Sequence, residues 1–419
     1  MKSRIAQRFL LGVVGSGLMI STLQGCGSGT ESTVANSRLQ QTEEKIGLLF
    51  ASHGDIDNPD TQLENYIKIS FQKNVGIPLP LWSRRLVEEP AYRLSVKTVR
   101  SQYDQIGATR YHGNSLKQID AINLELKKIL PNAKAYVGYN FTNPLIDETL
   151  DVMRKDGVTK IVVINKGAQF SYASSGENME DVLKYLKTHP DYDVEALGVT
   201  WYANDNRFTD VMAKSLDEDI QKAFPGTPRK DICILAGSHG LPTWLINKGD
   251  SAITQMQRSI VELRQKMPEY KIYHGFLNDD FFPGASWVGP KASVLAPQLV
   301  ADGCKNVAMD GRLSFTTHHR ATLFDLNVEV KQLMESEAKK IGTSVKSLLL
   351  PNFDENKDHA RLIAEVTADA VNNKGLTIAL KKKGQPALEL GSVGKPGTLL
   401  PGVTHSNDKV TDWSAAPKR

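Results

Sequence analysis

Short apolar runs recur along the chain at Ile46–Ala51, Ala135–Tyr139, Lys160–Asn165, Val194–Trp201, Ile232–Gly237, Lys271–Phe276, Asn306–Asp310 and Ser347–Leu350. Runs this short, apolar on both alternating faces, predict parallel strands buried from both sides. Between them the period changes. Ile119, Ile122, Leu126 and Ile129 share one helical face, and so do Ile253, Met256, Ile260, Leu263 and Met267. Strand alternating with helix predicts an α/β fold: mainly parallel sheets flanked by helices. Ligands of such sheets sit at the carboxyl ends of the strands.

The pattern also repeats. Leu48-Leu49-Phe50-Ala51-Ser52-His53-Gly54 is echoed by Ile234-Leu235-Ala236-Gly237-Ser238-His239-Gly240. Later in each half an Asp-Gly pair, Asp156-Gly157 and Asp302-Gly303, precedes an apolar run. Two echoes in the same order predict two similar lobes, residues 45–200 and 201–375, facing each other across a cleft. Phe71–Gly113 reads as an insertion in the first lobe. From residue 376 to 419 periodicity is lost and Gly, Pro and polar residues dominate, which predicts a disordered tail.

The first residues break the pattern differently. Lys2, Arg4 and Arg8 precede the uncharged run Phe9–Leu23, which is short for a spanning helix. It ends in Leu23-Gln24-Gly25-Cys26. This resembles the bacterial lipobox, which implies a signal over 1–25, a lipid on Cys26 and a polar tether over 26–44. The expectation is an exported chain anchored to a membrane. An ordinary cleaved signal with a chance Cys is the alternative.

Charge adds little. The 51 basic and 47 acidic side chains give a net charge of +4 with the signs interspersed, so no basic block points to nucleic acid. Besides Cys26 there are Cys233 and Cys304. They read as small buried residues, or as a disulfide if the chain is exported; spacing alone does not decide. Without a four-Cys set, a thiolate zinc site or iron–sulfur cluster is not expected.

Each Ser-His-Gly follows an apolar run, which puts His53 and His239 at strand ends on a cleft rim. Imidazole there can exchange a proton or hold a divalent metal near neutral pH. A satisfied loop histidine is the alternative for either one alone.

Several segments resemble the ferrochelatase family. Ser238-His239-Gly240-Leu241-Pro242 with Lys248-Gly249-Asp250 resembles its SFHGLP…KGD signature. Gln169-Phe170-Ser171 with Ser174-Ser175-Gly176 resembles its PQYS…TTG loop, and Trp287 with Pro290 its W…P segment. The resemblance runs from about residue 45 to about residue 375 in consistent order. It implies a chelatase-like fold and insertion of a divalent metal, usually ferrous iron, into a porphyrin. Cobalt or zinc are further substrate metals to consider. His239 would be the catalytic base or metal ligand. Gln169, Ser171, Tyr111 and Trp287 would hold the tetrapyrrole. Phe170, Tyr172 and Trp244 are further wall candidates.

One segment departs from the family. Where it carries an essential Glu, this chain has Ala321; the acidic residue three positions earlier is His318, and the family His is kept as His319. His53 stands where the family usually has an apolar residue, an arrangement more like the cobalt and sirohydrochlorin chelatases. The expected site is therefore a His cluster: His239, His53 and His318 or His319. Three readings follow: an active chelatase, an exported tetrapyrrole- or metal-binding protein without activity, and, more weakly, removal of metal from haem.

Overall fold

The computed structural model describes residues 44–400 apart from 78, 204 and 278–285. The expected signal, Cys26 and the tether before residue 44 lie outside the described residues. No helix among the described residues is long and apolar enough to cross a membrane.

Nine strands are present among the described residues: β1 Ile46–Ser52, β2 Ala133–Tyr139, β3 Lys160–Asn165, β4 Glu195–Val199, β5 Ile232–His239, β6 Lys271–Leu277, β7 Asn306–Asp310, β8 Lys346–Leu349 and β9 Thr377–Lys381. The helices are α1 Pro59–Lys73, α2 Leu81–Ile106, α3 Tyr111–Ile129, α4 Ile146–Lys155, α5 Glu177–Thr188, α6 Asn206–Ala223, α7 Thr243–Ile246, α8 Ala252–Lys266, α9 Ala292–Ala301, α10 Lys331–Lys340 and α11 Lys357–Val371. Two π-helical segments, Tyr172–Gly176 and Thr322–Val330, run directly into α5 and α10.

The strands form two sheets, β2-β1-β3-β4-β9 and β6-β5-β7-β8. Leaving out β9, the second order is the first displaced by four strands, so the sequence echo is a repeated topology. All pairings are parallel except β4 with β9. The Asp-Gly pairs occupy equivalent places. Gly157 and Gly303 follow α4 and α9 with φ of 77° and 88°, the left-handed turn glycine adopts without steric cost.

Local chemistry sets the elements. β1 and β5 are buried almost throughout because helices cover both faces. Asn58 caps α1 with Pro59 in its first turn, and Asp205 and Asn356 cap α6 and α11. α8 buries Ile253, Met256, Ile260 and Leu263, as its period requires. On α3 the stripe is Ile119, Ile122 and Leu126, while Ile129 at the last turn stays exposed. Residues 71–113 are the end of α1, α2 and the start of α3. α1 and α2 make a small core of their own from Leu63, Ile67 and Tyr103 with Ile56.

Cys233 and Cys304 are joined, with their Cα atoms 5.9 Å apart. Cys233 lies on β5 and Cys304 just ahead of its neighbour β7, a proximity that only strand order reveals.

The tail departs from expectation. Instead of being disordered from residue 376, the chain returns to the first sheet as β9. Beyond it, Glu180 of α5 accepts from the backbone N–H groups of Gly391, Val393 and Gly394, and Val393 is buried. A polar, Gly-rich segment has few side chains to announce a fold, and here backbone groups do the pairing. Residues 401–419 lie outside the described residues.

Candidate functional site

In each sheet the strand order turns around between two neighbours, β1 and β3 in the first and β5 and β7 in the second. Loops leaving the carboxyl ends there diverge and open a crevice. The two crevices merge into one cleft, walled by residues of both lobes and enclosing 1620 Å³ of empty space, its open mouth included. His53 and Lys166 enter it from the ends of β1 and β3, and His239 from the end of β5. Phe315, Thr317, His319 and Arg320 come from the loop after β7. Tyr66, Ile67, Phe141, Leu241, Met256 and Trp287 supply apolar and aromatic wall.

His239 is half-buried. Its Nδ1 donates to the Gly240 carbonyl oxygen at 2.5 Å, so the neutral ring carries its lone pair on Nε2. Burial lowers its pKa to about 4. The ring is tilted against Phe315, 6.0 Å away.

His53 stacks on Phe141 with ring centroids 4.6 Å apart. Its Nε2 lies 3.4 Å from Glu177 Oε2 at the start of α5. The pair is close enough for charge attraction but not aligned as a hydrogen bond, and neither atom has another partner among the described residues. Burial raises the Glu177 pKa, with His53 and the Val75 N–H pulling the other way.

His319 packs edge-on against Phe315 with centroids 3.9 Å apart. Its Nδ1 accepts from the Ala321 N–H at 2.9 Å, which places the proton of the neutral ring on Nε2. Burial holds its pKa well below the usual imidazole range, and the nearby His239 and Arg320 act in the same direction. In this tautomer His319 is a donor, not a metal ligand.

His318 does not line the cleft. Its Nδ1 meets Thr322 Oγ1 at 3.2 Å and its Nε2 the Leu350 carbonyl oxygen at 3.0 Å. Adjacent side chains point apart, and His318 is taken up by the second lobe. Of the expected His cluster, His53, His239 and His319 line the cleft. Among the described residues no group of three or more His, Cys, Asp or Glu side chains is gathered closely enough to hold a metal ion. The imidazoles share a cavity, but one nitrogen of each faces a separate protein group: the Gly240 carbonyl oxygen, the Ala321 N–H and the Glu177 carboxyl.

The residues expected to grip a tetrapyrrole divide. Tyr111 and Trp287 line the cleft. The Tyr111 hydroxyl is 3.0 Å from Ser52 Oγ, and Trp287 Nε1 is buried without a partner among the described residues. Gln169 lines the cleft, but its amide donates to the Leu313 carbonyl oxygen at 2.8 Å. Ser171 is not at the cleft: its hydroxyl donates to Asp250 Oδ2 at 2.7 Å. Asp250 also accepts from the N–H groups of Tyr172 and Ala252, so the Lys248-Gly249-Asp250 segment staples the lobes together. Phe170 and Tyr172 are core residues of that seam, and Trp244 donates to the Gly76 carbonyl oxygen.

Sequence reasoning missed three charged groups. Asp55, directly after the first Ser-His-Gly, is buried in the cleft wall. It accepts from the Tyr103 hydroxyl, from Ile56 N–H at 2.8 Å and from Arg320 N–H at 2.7 Å, and burial raises its pKa. Its link to Arg320 puts a carboxyl beside Ala321, where the second lobe has none. Glu177 follows the Ser174-Ser175-Gly176 loop. Lys166 directly follows the parallel strand β3, a position that the strand-end rule could have flagged.

The family model described as Ferrochelatase matches residues 45–371. The chain is 23% identical over 319 residues to "Ferrochelatase, mitochondrial" of Gallus gallus, covering 73% of this chain and 76% of that protein. With "Ferrochelatase, mitochondrial" of Drosophila melanogaster the figures are 25% over 350 residues, 81% and 86%. Among solved structures, "SirB from Bacillus subtilis with Fe3+" aligns at 13% identity with a TM-score of 0.43, covering 79% of this chain and 99% of that one.

Proposed function

The chain belongs to the ferrochelatase family, and from that premise we propose that it inserts a divalent metal, ferrous iron by resemblance, into a porphyrin held between its lobes. The observation that carries this reading is the common cavity of His53, His239 and His319 with its aromatic and apolar lining. An apolar slot takes a planar macrocycle out of water and favours the bent ring whose nitrogen lone pairs face the incoming metal. His239, neutral down to about pH 4, offers the Nε2 lone pair to a proton or to the metal as it arrives. His53 with Glu177 beside it suits first capture of the cation, since an imidazole nitrogen and a carboxylate oxygen stand side by side there.

The test is to mix the protein with a free-base porphyrin and ferrous, cobaltous or zinc ion and follow the absorption spectrum. Metalloporphyrin formed faster than without protein, and lost in His239→Ala, supports the reading. No tetrapyrrole binding at all would end it.

A second reading has its own support. Ala321 stands where the family carries Glu, and the Nδ1 atoms of His239 and His319 are engaged within the protein. Tight porphyrin or haem binding without acceleration would make the protein an exported carrier. In both readings the chain works outside the cytoplasm, tied to a membrane by a lipid on Cys26. The Cys233–Cys304 bridge suits an oxidising compartment. Loss of fatty-acid labelling in Cys26→Ser checks the anchor.

A further inference from the structure

Metal entering a free-base porphyrin displaces both pyrrole protons, and a closed apolar slot gives them no water to join. Lys166 follows β3 on the cleft wall and is 2% exposed. Its Nζ donates to Ser115 Oγ at 2.7 Å and to Thr317 Oγ1 at 3.2 Å, and it lies 4.6 Å from the centre of the Tyr111 ring. Its hydrogen-bond partners among the described residues are hydroxyls, with no carboxylate to hold it charged.

Behind Lys166 the polar groups continue. The Thr317 hydroxyl donates to Gln118 Oε1 at 3.5 Å and lies near enough to the half-buried Asp354 carboxyl to favour its charged form, and Asp354 Oδ1 has no hydrogen-bond partner among the described residues. Both ring nitrogens of His359, which feels the Lys166 charge, are also unpartnered among the described residues. Exposed Glu355 stands next to Asp354, so the line reaches the surface.

We propose that Lys166 accepts the porphyrin protons and passes them through Thr317 and Asp354 to solvent. This rests on the metal-insertion reading above. In each transfer a pyrrole N–H bond breaks and its electron pair stays on nitrogen for the metal. The proton joins the neutral Lys166 amine as ammonium, then moves through the Thr317 hydroxyl to the Asp354 carboxylate and out, restoring the amine. Burial brings the Lys166 amine down to about 7, against a smaller opposite pull from Asp354. The other groups facing this path are Tyr111 from α3, whose burial keeps it protonated, and His359 from α11, lowered to about 3 and so neutral. Lys117 and Glu355 act on Asp354 in opposite directions.

The experiment compares metallation of a free-base porphyrin by zinc ion across pH in the wild-type chain, Lys166→Met, Lys166→Arg and Asp354→Asn. Porphyrin affinity is read separately by fluorescence quenching. The wild-type rate should rise with pH through about 7. Lys166→Met and Lys166→Arg should each lose that limb and at least about tenfold in rate with affinity unchanged. Arginine keeps the charge but cannot give up its proton, so its failure excludes a purely electrostatic role. Asp354→Asn should slow metallation, because the amide cannot carry the proton onward, and should move the limb to lower pH, because Asp354 no longer favours the charged amine. A Lys166→Met protein with the wild-type rate and limb overturns the inference while leaving the metal-insertion reading intact; a wild-type protein that never metallates overturns both. Should the variants fail to fold, NMR titration of the wild-type lysine Cε signals decides: none titrating near pH 7 also overturns it.

Discussion

Ser52-His53-Gly54 and Ser238-His239-Gly240 end equivalent strands of two sheets with the same order, yet their surroundings have diverged. Ser52 Oγ pairs with the Tyr111 hydroxyl and receives the Gly54 N–H, whereas Ser238 Oγ pairs with His274. Gly54 has φ +80° and a Cβ there would lie 2.5 Å from Thr142. Gly240 needs no left-handed backbone, but a Cβ would lie 2.8 Å from the Leu277 carbonyl oxygen. The first imidazole leans on a carboxylate; the second is tied to its own backbone. On the metal-insertion reading, the repeated turn would supply one cation-capturing position and one neutral-base position, and the difference lies in the neighbours, not the motif.

The two roles separate under mutation. His239→Ala should lower the metallation rate by about 100-fold or more, and His53→Ala by about tenfold, mostly through a weaker apparent metal affinity. Stopped-flow absorption at varied metal concentration distinguishes them; equal losses would mean the turns share one task. Glu177→Gln should weaken metal affinity by about tenfold while leaving porphyrin binding unchanged, measured by competition with a chelating dye.

The glycines should also differ. Gly54→Ala combines left-handed strain with a clash and should cost about 2–4 kcal/mol; Gly240→Ala meets one backbone oxygen and should cost about 1–3 kcal/mol, both by denaturant unfolding. The smallest effect is on acid stability. His239 is neutral in the fold down to about pH 4 but titrates near 6.5 when unfolded. Between those values the unfolded chain binds more protons, so stability should fall as pH drops through this window. The contribution is about 1–2 kcal/mol, because the ring is only half-buried. In His239→Gln the slope of stability against pH over that range should shrink.

Strands and the repeat were legible because parallel strands covered on both faces leave apolar runs no other element explains. Lys160–Asn165 and Asn306–Asp310 match at both ends. The site was legible where a residue type and a strand end coincide, as at His53 and His239. It was not legible where groups distant in sequence consumed the side chain. Ser171 and Gln169 look like ligand-binding residues, but their partners, Asp250 and the Leu313 carbonyl oxygen, are distant in sequence. Asp55 and Glu177 were hidden for the same reason: a carboxylate becomes informative only once the fold buries it.

β9 pairs with β4 across the whole intervening second lobe, at the outer edge of the first sheet. Until residue 381 has left the ribosome, β4 shows unpaired N–H and C=O groups along one side. The first lobe therefore cannot finish before the second has been made, although its other strands are complete by residue 199. The match to the family ends at residue 371. A protein cut back to that point would keep every cleft residue named above and still carry a sticky margin, open to annealing with another copy of itself.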